Sequence, residues 1–185
     1  MVRVRLRSDV NLGELPEDCA ARMLSWVHQA DVTDGLGLSR IPTMERTLAW
    51  IQTARAKESI WAWAVLWNGK HVGNVVFEQI DRRAGTARFS VYLGDPDARS
   101  RGIGTTAIYK ALAKVFGDEH LHKVWLTVHA ENAAAKKVYT NLGFQLEGIL
   151  REAFVLGDRR LDALYMGLLA SEFSRLETQE IGPNG

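Results

Sequence analysis

Val91-Tyr-Leu-Gly-Asp-Pro-Asp-Ala-Arg-Ser-Arg-Gly-Ile-Gly-Thr105 is the stretch on which the fold turns. An apolar strand, Ala87 to Leu93, ends in it, and a loop with Pro96 follows. Two glycines then stand two apart at Gly102 and Gly104, and an apolar-periodic helix runs at once from about Gly102 to Phe116. This is the composition of an anion cradle. Glycines let backbone N–H groups approach a phosphate, and a helix N-terminus adds partial positive charge. Arg99 and Arg101 flank the glycines and can supplement that field. Taken alone, the two glycines read equally as a tight strand-to-helix turn. A Walker A loop would need a lysine after Gly104, and there is none. A dinucleotide fingerprint would need a third small residue, which Ala107 supplies only in its alanine variant, and it sits in a parallel strand–helix–strand unit.

What precedes the stretch is not such a unit. Trp61, Trp63, Val65 and Trp67 alternate with Ile60, Ala62, Ala64 and Leu66, a strand pattern that places the tryptophans in a sheet core. Asn68-Gly69 tolerates positive φ and predicts a hairpin to a returning strand, His71 to Ile80. The turn Asp81 to Gly85 leads into Ala87 to Leu93, so the middle of the chain is an antiparallel meander. Further upstream, Val2, Val4 and Leu6 alternate with Arg3, Arg5 and Arg7 as a half-buried first strand. A helix is predicted from about Pro16 to His28, a glycine-bearing loop over Ala30 to Ile41, and a second helix from about Thr43 to Ala56. Downstream come a strand, Lys123 to His129, a helix over Asn132 to Leu142 that stops at Gly143, and two strands near Phe144 to Leu156 and Leu161 to Leu169. From Glu172 the chain reads as a helical remnant and frayed tail ending in Gly-Pro-Asn-Gly. The order β-α-α-β-β-β-α-β-α-β-β defines a mixed α+β sheet with helices on both faces, a single domain over 1–171 followed by a tail over 172–185.

A second segment settles the reading of the glycine loop. Asn132, Ala135 and Tyr139 share one helical face, with small Ala135 permitting close approach and Tyr139 projecting a phenol about two turns from the helix start. Arg99-x-x-Gly102-x-Gly104 resembles the pyrophosphate signature of the GNAT acetyltransferases, and Asn132-x-x-Ala135-x-x-x-Tyr139-x-x-x-Gly143-Phe144 resembles that family's second motif. The run Glu147 to Glu152, with Asp162 and Met166, is similar to the ribosomal-protein (RimJ/RimL-like) and spermidine acetyltransferase branch.

The resemblance implies a central, twisted, mostly antiparallel sheet of about seven strands with a splayed pair that binds acetyl-CoA. Val91, Tyr92 and Leu93 would offer free backbone groups to the pantetheine arm. Arg99, Ser100, Arg101, Gly102, Ile103, Gly104 and Thr105 would bind the pyrophosphate, and Asn132 the pantetheine or a neighbouring backbone group. Tyr139 would protonate the leaving thiolate. Lys136 and Lys137 could meet the 3′-phosphate or simply be solvated. An amine attacks only when neutral, so a base is needed, and Glu78 on the returning strand is the first candidate; a salt-bridged strand carboxylate is the competing reading. The acceptor cleft would be lined by Ala30 to Ile41, the early helices and the last strand pair, and the acceptor would be a small-molecule amine or a peptide N-terminus. A non-catalytic acetyl-CoA-binding module and a nucleotide-phosphate enzyme are the alternatives.

Composition narrows the remainder. A chain of 185 residues, 46% hydrophobic and 24% charged, can build an ordinary core, and a net charge of +1 gives no bulk attraction to nucleic acid or membrane. Cys19 is the one cysteine, which leaves no intrachain disulfide and no multi-cysteine zinc site. His120 and His122 lack a third ligand, so no metal is expected, and His129 reads as structural. Trp26 and Trp50 are expected to pack rather than touch substrate. No secretory signal or membrane span is apparent, and cytoplasm is the default. A homodimer could form by pairing of the strand Ala163 to Leu169.

Overall fold

The computed structural model describes residues 3–16, 18–38, 40–56, 59–176 and 178–182. Two short strands, β1 (Val4–Arg7) and β2 (Val10–Gly13), precede three helices, α1 (Cys19–Val27), α2 (Ala30–Leu36) and α3 (Met44–Ala56). The meander follows as β3 (Trp61–Trp67), β4 (Lys70–Asp81) and β5 (Thr86–Leu93). Asn68 and Gly69 both have positive φ, 49° and 77°, the backbone that a two-residue hairpin requires. A 3₁₀ turn at Pro96–Ala98 leads into α4 (Ile103–Gly117), then β6 (Lys123–His129), α5 (Ala133–Asn141), β7 (Gln145–Leu156), β8 (Arg159–Leu169), α6 (Ala170–Phe173) and β9 (Thr178–Ile181).

Seven strands form one sheet in the order β2-β3-β4-β5-β6-β8-β7, antiparallel at every junction except the parallel β5–β6 pair. Strand alternation sorts its side chains to two cores. Val65, Val75, Phe77 and Phe89 face Ile103, Ala107, Ala111 and Leu112 of α4, with Trp61 buried and Trp63 and Trp67 packed against them. Ala62, Ala64 and Val76 on the opposite face meet Cys19, Met23 and Trp26 of α1 and Ile51 and Ala54 of α3. Helices thus cover both faces, as the mixed pattern required. Removing a fully buried ring such as Phe77 costs about 3–5 kcal/mol.

The chain departs from its sequence reading at several places. Ala30–Leu36, expected as loop, is helical: Gln29 starts it in an extended conformation, Gly37 ends it at φ 64°, and buried Val32 anchors it. The expected first strand is present as β1, ending at Arg7, and a further strand, β2, follows it after a turn in which the Arg7 guanidinium donates to Asp9. The expected tail contains β9, which lies parallel to β1 as a separate two-stranded sheet with Val4 opposite Thr178 and Arg7 opposite Ile181. Met1 and Val2 at the start and Pro183 to Gly185 at the end lie outside the described residues. The strand proposed for dimer pairing, β8, has β6 on one side and β7 on the other, so its edges are filled. The edges of the seven-stranded sheet belong to β2 and β7.

Candidate active site at the divergence of two strands

β5 and β6 pair only at Thr86/Lys123, Ala87/Val124 and Arg88/Trp125. Beyond these positions each keeps its outer neighbour: Val91, Tyr92 and Leu93 stay opposite Val75, Asn74 and Gly73 of β4, and β6 follows β8 as far as His129. The facing edges separate, leaving backbone N–H and C=O groups of both strands unpaired across the gap. A cavity of about 260 Å³ occupies it, lined by Val91, Tyr92, Leu93, Thr127, Asn132 and Tyr139 among others.

One end of this cavity is the start of α4. Gly102 caps the helix in the left-handed region, φ 76°. An added Cβ there would find nothing nearer than Arg7 Cδ at 4.0 Å, so conformation rather than space demands glycine. At Gly104 a Cβ would meet Leu93 Cδ1 at 3.7 Å, an ordinary contact, while its side chain would project over the cavity. Among the described residues the amides of Ile103, Gly104 and Thr105 find no acceptor, the ordinary state of a helix's first turn. Free amides, a glycine surface and an adjoining unpaired strand edge fit a diphosphate joined to an amide-bearing arm. The turn is held from behind: the Arg7 backbone N–H donates to Thr106 Oγ1 at 3.0 Å, and Arg7 and the Trp67 indole, at 2.9 Å, both donate to Asp9.

The expected residues divide between cavity and scaffold. Gly104, Thr105 and Arg99 line the cavity. Yet Arg99 spends its donors on protein: Nε to the Leu93 carbonyl at 3.1 Å, one terminal nitrogen to Gln29 at 2.8 Å, the other to Asp31. It bolts α2 to the loop, and the Leu93 carbonyl is occupied by it. Arg101 turns to the Asp97 carbonyl and over the Trp67 ring, away from the cavity. Ser100, at φ 58°, and Gly102 shape the turn, and the Ile103 side chain is wholly buried in the core. Asn132 caps α5, its Oδ1 accepting from the Ala135 N–H at 3.0 Å, which leaves its amide nitrogen for the cavity. Lys137 is exposed on α5 outside the cavity, and Lys136 donates to the Ala130 carbonyl.

A second cavity, about 440 Å³, opens on the other side of Tyr139, which lines both. Its walls come from α1, α2, α3, β4, β5 and the tip of β7, bringing together the early helices and the late hairpin that the sequence placed around an acceptor. Trp50 packs against the core of α1 and α3, as expected, and also lines this cavity, whereas Trp26 is buried against His71 and Tyr92. Tyr139 packs edge-on to Phe144, and burial pushes its hydroxyl pKa up to about 12, so the phenol holds its proton at neutral pH. Glu78 lines the same cavity, about one-third exposed, with Oε1 bound by the Arg88 guanidinium. It is therefore the salt-bridged strand carboxylate of the competing reading, and it also faces the cavity.

Sequence reasoning missed a buried polar chain. His71 Nε2 lies 2.8 Å from Asn74 Oδ1, and Asn74 Nδ2 donates to the Tyr92 hydroxyl at 2.6 Å. Tyr92 lines both cavities, and burial raises its pKa, so it too stays protonated. Asn74, a lone amide in the apolar run Val72 to Phe77, was the available signal. Thr127 was missed because an ordinary strand threonine carries no signal. His129 packs against Phe154, its buried Nδ1 without a partner among the described residues. Those residues hold no cluster of metal-ligating groups, and no helix among them is long and apolar enough to cross a membrane.

Residues 10–145 match the acetyltransferase (GNAT) domain family, and the chain belongs to that family. It is 32% identical over 102 residues to a spermidine N(1)-acetyltransferase of Vibrio cholerae, covering 55% of this chain and 58% of that one. It is 36% identical over 74 residues to the [ribosomal protein bS18]-alanine N-acetyltransferase of Escherichia coli, 40% of this chain and 49% of that one. The chain spans about half the length of these curated relatives. The solved spermidine N-acetyltransferase of Vibrio cholerae in complex with CoA and spermine superposes with a TM-score of 0.84 over 91% of this chain and 99% of that one, at 22% identity, which establishes the shared fold.

Proposed function

We propose that this protein is an acetyl-CoA-dependent N-acetyltransferase, a single acetyltransferase domain that acetylates the primary amine of a small molecule or peptide N-terminus by direct attack. The observation that carries the reading is the parting of β5 from β6 beside the free amides of α4, with Tyr139 at the junction of two cavities. Acetyl-CoA supplies an activated acetyl thioester. The amides of Ile103, Gly104 and Thr105 hold its diphosphate, and the free edge of β5 at Val91 and Tyr92 receives the amide-bearing arm. An unpaired N–H of that edge is the donor for the developing oxyanion. Tyr139, protonated at neutral pH, delivers a proton to the departing thiolate. Glu78, across the larger cavity and about one-third exposed, receives the amine proton directly or through water. The same reading places the protein in the cytoplasm, where acetyl-CoA is available.

The test is release of free CoA thiol from acetyl-CoA in the presence of amino sugars, amino acids, polyamines and N-terminal peptides. At least one amine should accelerate it. Saturable acetyl-CoA binding with no thiol from any amine would instead identify a non-catalytic binding module, and stabilisation by ATP or NAD but not acetyl-CoA would identify a nucleotide-phosphate enzyme.

We also propose that the expected homodimer forms along β7. Leu146, Ile149 and Val155 are each more than half exposed on this edge strand. An apolar open edge in a sheet is an unstable surface unless another strand covers it. Charge placed there, as Leu146→Lys with Ile149→Lys, should leave a monomer in light scattering while acetyl-CoA binding persists.

A further inference from the structure

The larger cavity carries a charge pattern unsuited to a polycation. Arg40, Arg46 and Arg88 line it against one carboxylate, Glu78. Glu78 and Arg88 neutralise each other. Neither Arg40 nor Arg46 has an acidic partner among the described residues, so two unbalanced positive charges remain at the wall. Neither arginine lines the smaller cavity, so they do not serve the diphosphate. Much of the remaining wall is apolar, including Met23, Val27, Leu36, Trp50 and Phe154. A volume of about 440 Å³ suits a small organic molecule.

We infer that the acceptor is an amine that also bears an anion, a carboxylate or a phosphate, on a compact apolar or ring-shaped body. This rests on the N-acetyltransferase reading and narrows it. The amine points toward Tyr139 and the parted strands; the body lies against Trp50 and Phe154; the anion meets Arg40 and Arg46. A guanidinium engages either anion with paired, charge-assisted hydrogen bonds, and the same two charges repel each ammonium of a polyamine. Hydrogen bonds to charged groups discriminate by about 10-fold or more. Arg40 and Arg46 are both exposed at the cavity rim, which sets the expectation at the lower end of that range.

Matched acceptors test this. 4-(Aminomethyl)benzoate and 4-(aminomethyl)benzamide share a body and an amine and differ in charge; glucosamine 6-phosphate and glucosamine do the same for phosphate; spermidine is the cationic arm. At saturating acetyl-CoA, at least one anionic acceptor should exceed its neutral twin in kcat/KM by about 10-fold, and spermidine should be the poorest. The pair that responds tells carboxylate from phosphate. Arg40→Glu with Arg46→Glu should abolish or invert the ranking while KM for acetyl-CoA stays unchanged. Calorimetric titration of the same acceptors into CoA-saturated protein should give the same order without turnover. Neutral twins or spermidine equal to or better than the anionic acceptors would overturn the inference, as would a ranking that survives both charge reversals. Should acetyl-CoA bind and no amine release thiol, the N-acetyltransferase reading falls while the calorimetric ranking still decides the charge preference.

Discussion

The two cavities that meet at Tyr139 are built from different materials. The smaller adjoins unpaired main chain, the first amides of α4 behind the turn at Gly102, the glycine at 104 and the unpaired edge of β5, with side chains such as Thr127, Asn132 and Tyr139 completing its wall. The larger is made of side chains drawn from α1, α2, α3, β4, β5 and β7. Backbone is common to every residue, so a site made from it is specified by where glycine and strand ends fall, within one contiguous stretch. A site made from side chains is specified by which distant residues the fold happens to bring together. On the proposed reading the first holds the co-substrate, and the second can be altered by single substitutions.

That contrast can be broken most sharply at the junction. Tyr139→Phe keeps the ring and its packing on Phe144 and removes only the hydroxyl. If the phenol is the acid, kcat should fall about 10²–10⁴-fold with KM for acetyl-CoA little changed, and steady-state rates would show it. Next in size is the brace behind the backbone cavity. The Asp9 side chain is buried, accepting from Arg7 and from Trp67, and Asp9→Ala should cost about 1–3 kcal/mol of unfolding free energy in a denaturant titration by removing the carboxylate to which the buried guanidinium and the indole both donate. A smaller and more local effect is expected at Gly102, whose φ of 76° disfavours any side chain. Gly102→Val should weaken acetyl-CoA binding by about 10-fold, the equivalent of 1–2 kcal/mol of backbone strain, and leave the affinity of the larger cavity unaltered in calorimetry.

The smallest effect concerns the polar chain between the cavities. Burial lowers the His71 pKa, with the hydrogen bond to Asn74 offsetting part of the shift. The unfolded chain therefore takes up a proton below about pH 6.5 that the folded one resists, and stability should decline as pH falls from about 6.5 toward 5. Asp9 acts in a separate, lower window. Its carboxyl is held down by Arg7, so its contribution is present above about pH 4 and lost below. Melting temperatures for the native protein and His71→Gln should diverge between pH 7 and 5, with the variant the flatter of the two.

The same division explains what could be read before the structure. The meander, the Asn68-Gly69 hairpin, α4, β6 and α5 follow from local periodicity and turn chemistry, and the sequence placed each within a residue or two. The splay was implied by resemblance to the family, and the pairing of only three residues between β5 and β6 bears it out. What local pattern could not supply was the direction of long side chains. Arg99 and Arg101 flank the glycines, yet both bond to protein: Arg99, at the cavity wall, donates to the Leu93 carbonyl, Gln29 and Asp31, and Arg101 to the Asp97 carbonyl. The short helix α2 escaped notice because it is only seven residues with two acids and a glycine, stabilised by the burial of Val32 and not by periodicity. The strand β9 likewise owes its existence to a partner 174 residues away, Val4 facing Thr178.

The parting of β5 from β6 also bears on how this protein can change. A ladder that is left open reads its ligand with atoms that no codon alters, so ordinary point variation passes over it almost without trace. Only a residue that refuses the required backbone, or a new side chain at Gly104 that projects over the gap, can close it. Under the proposed reading, donor recognition is in that sense buffered, while the larger cavity, where the inferred discrimination rests on single arginines, is free to be rewritten one residue at a time.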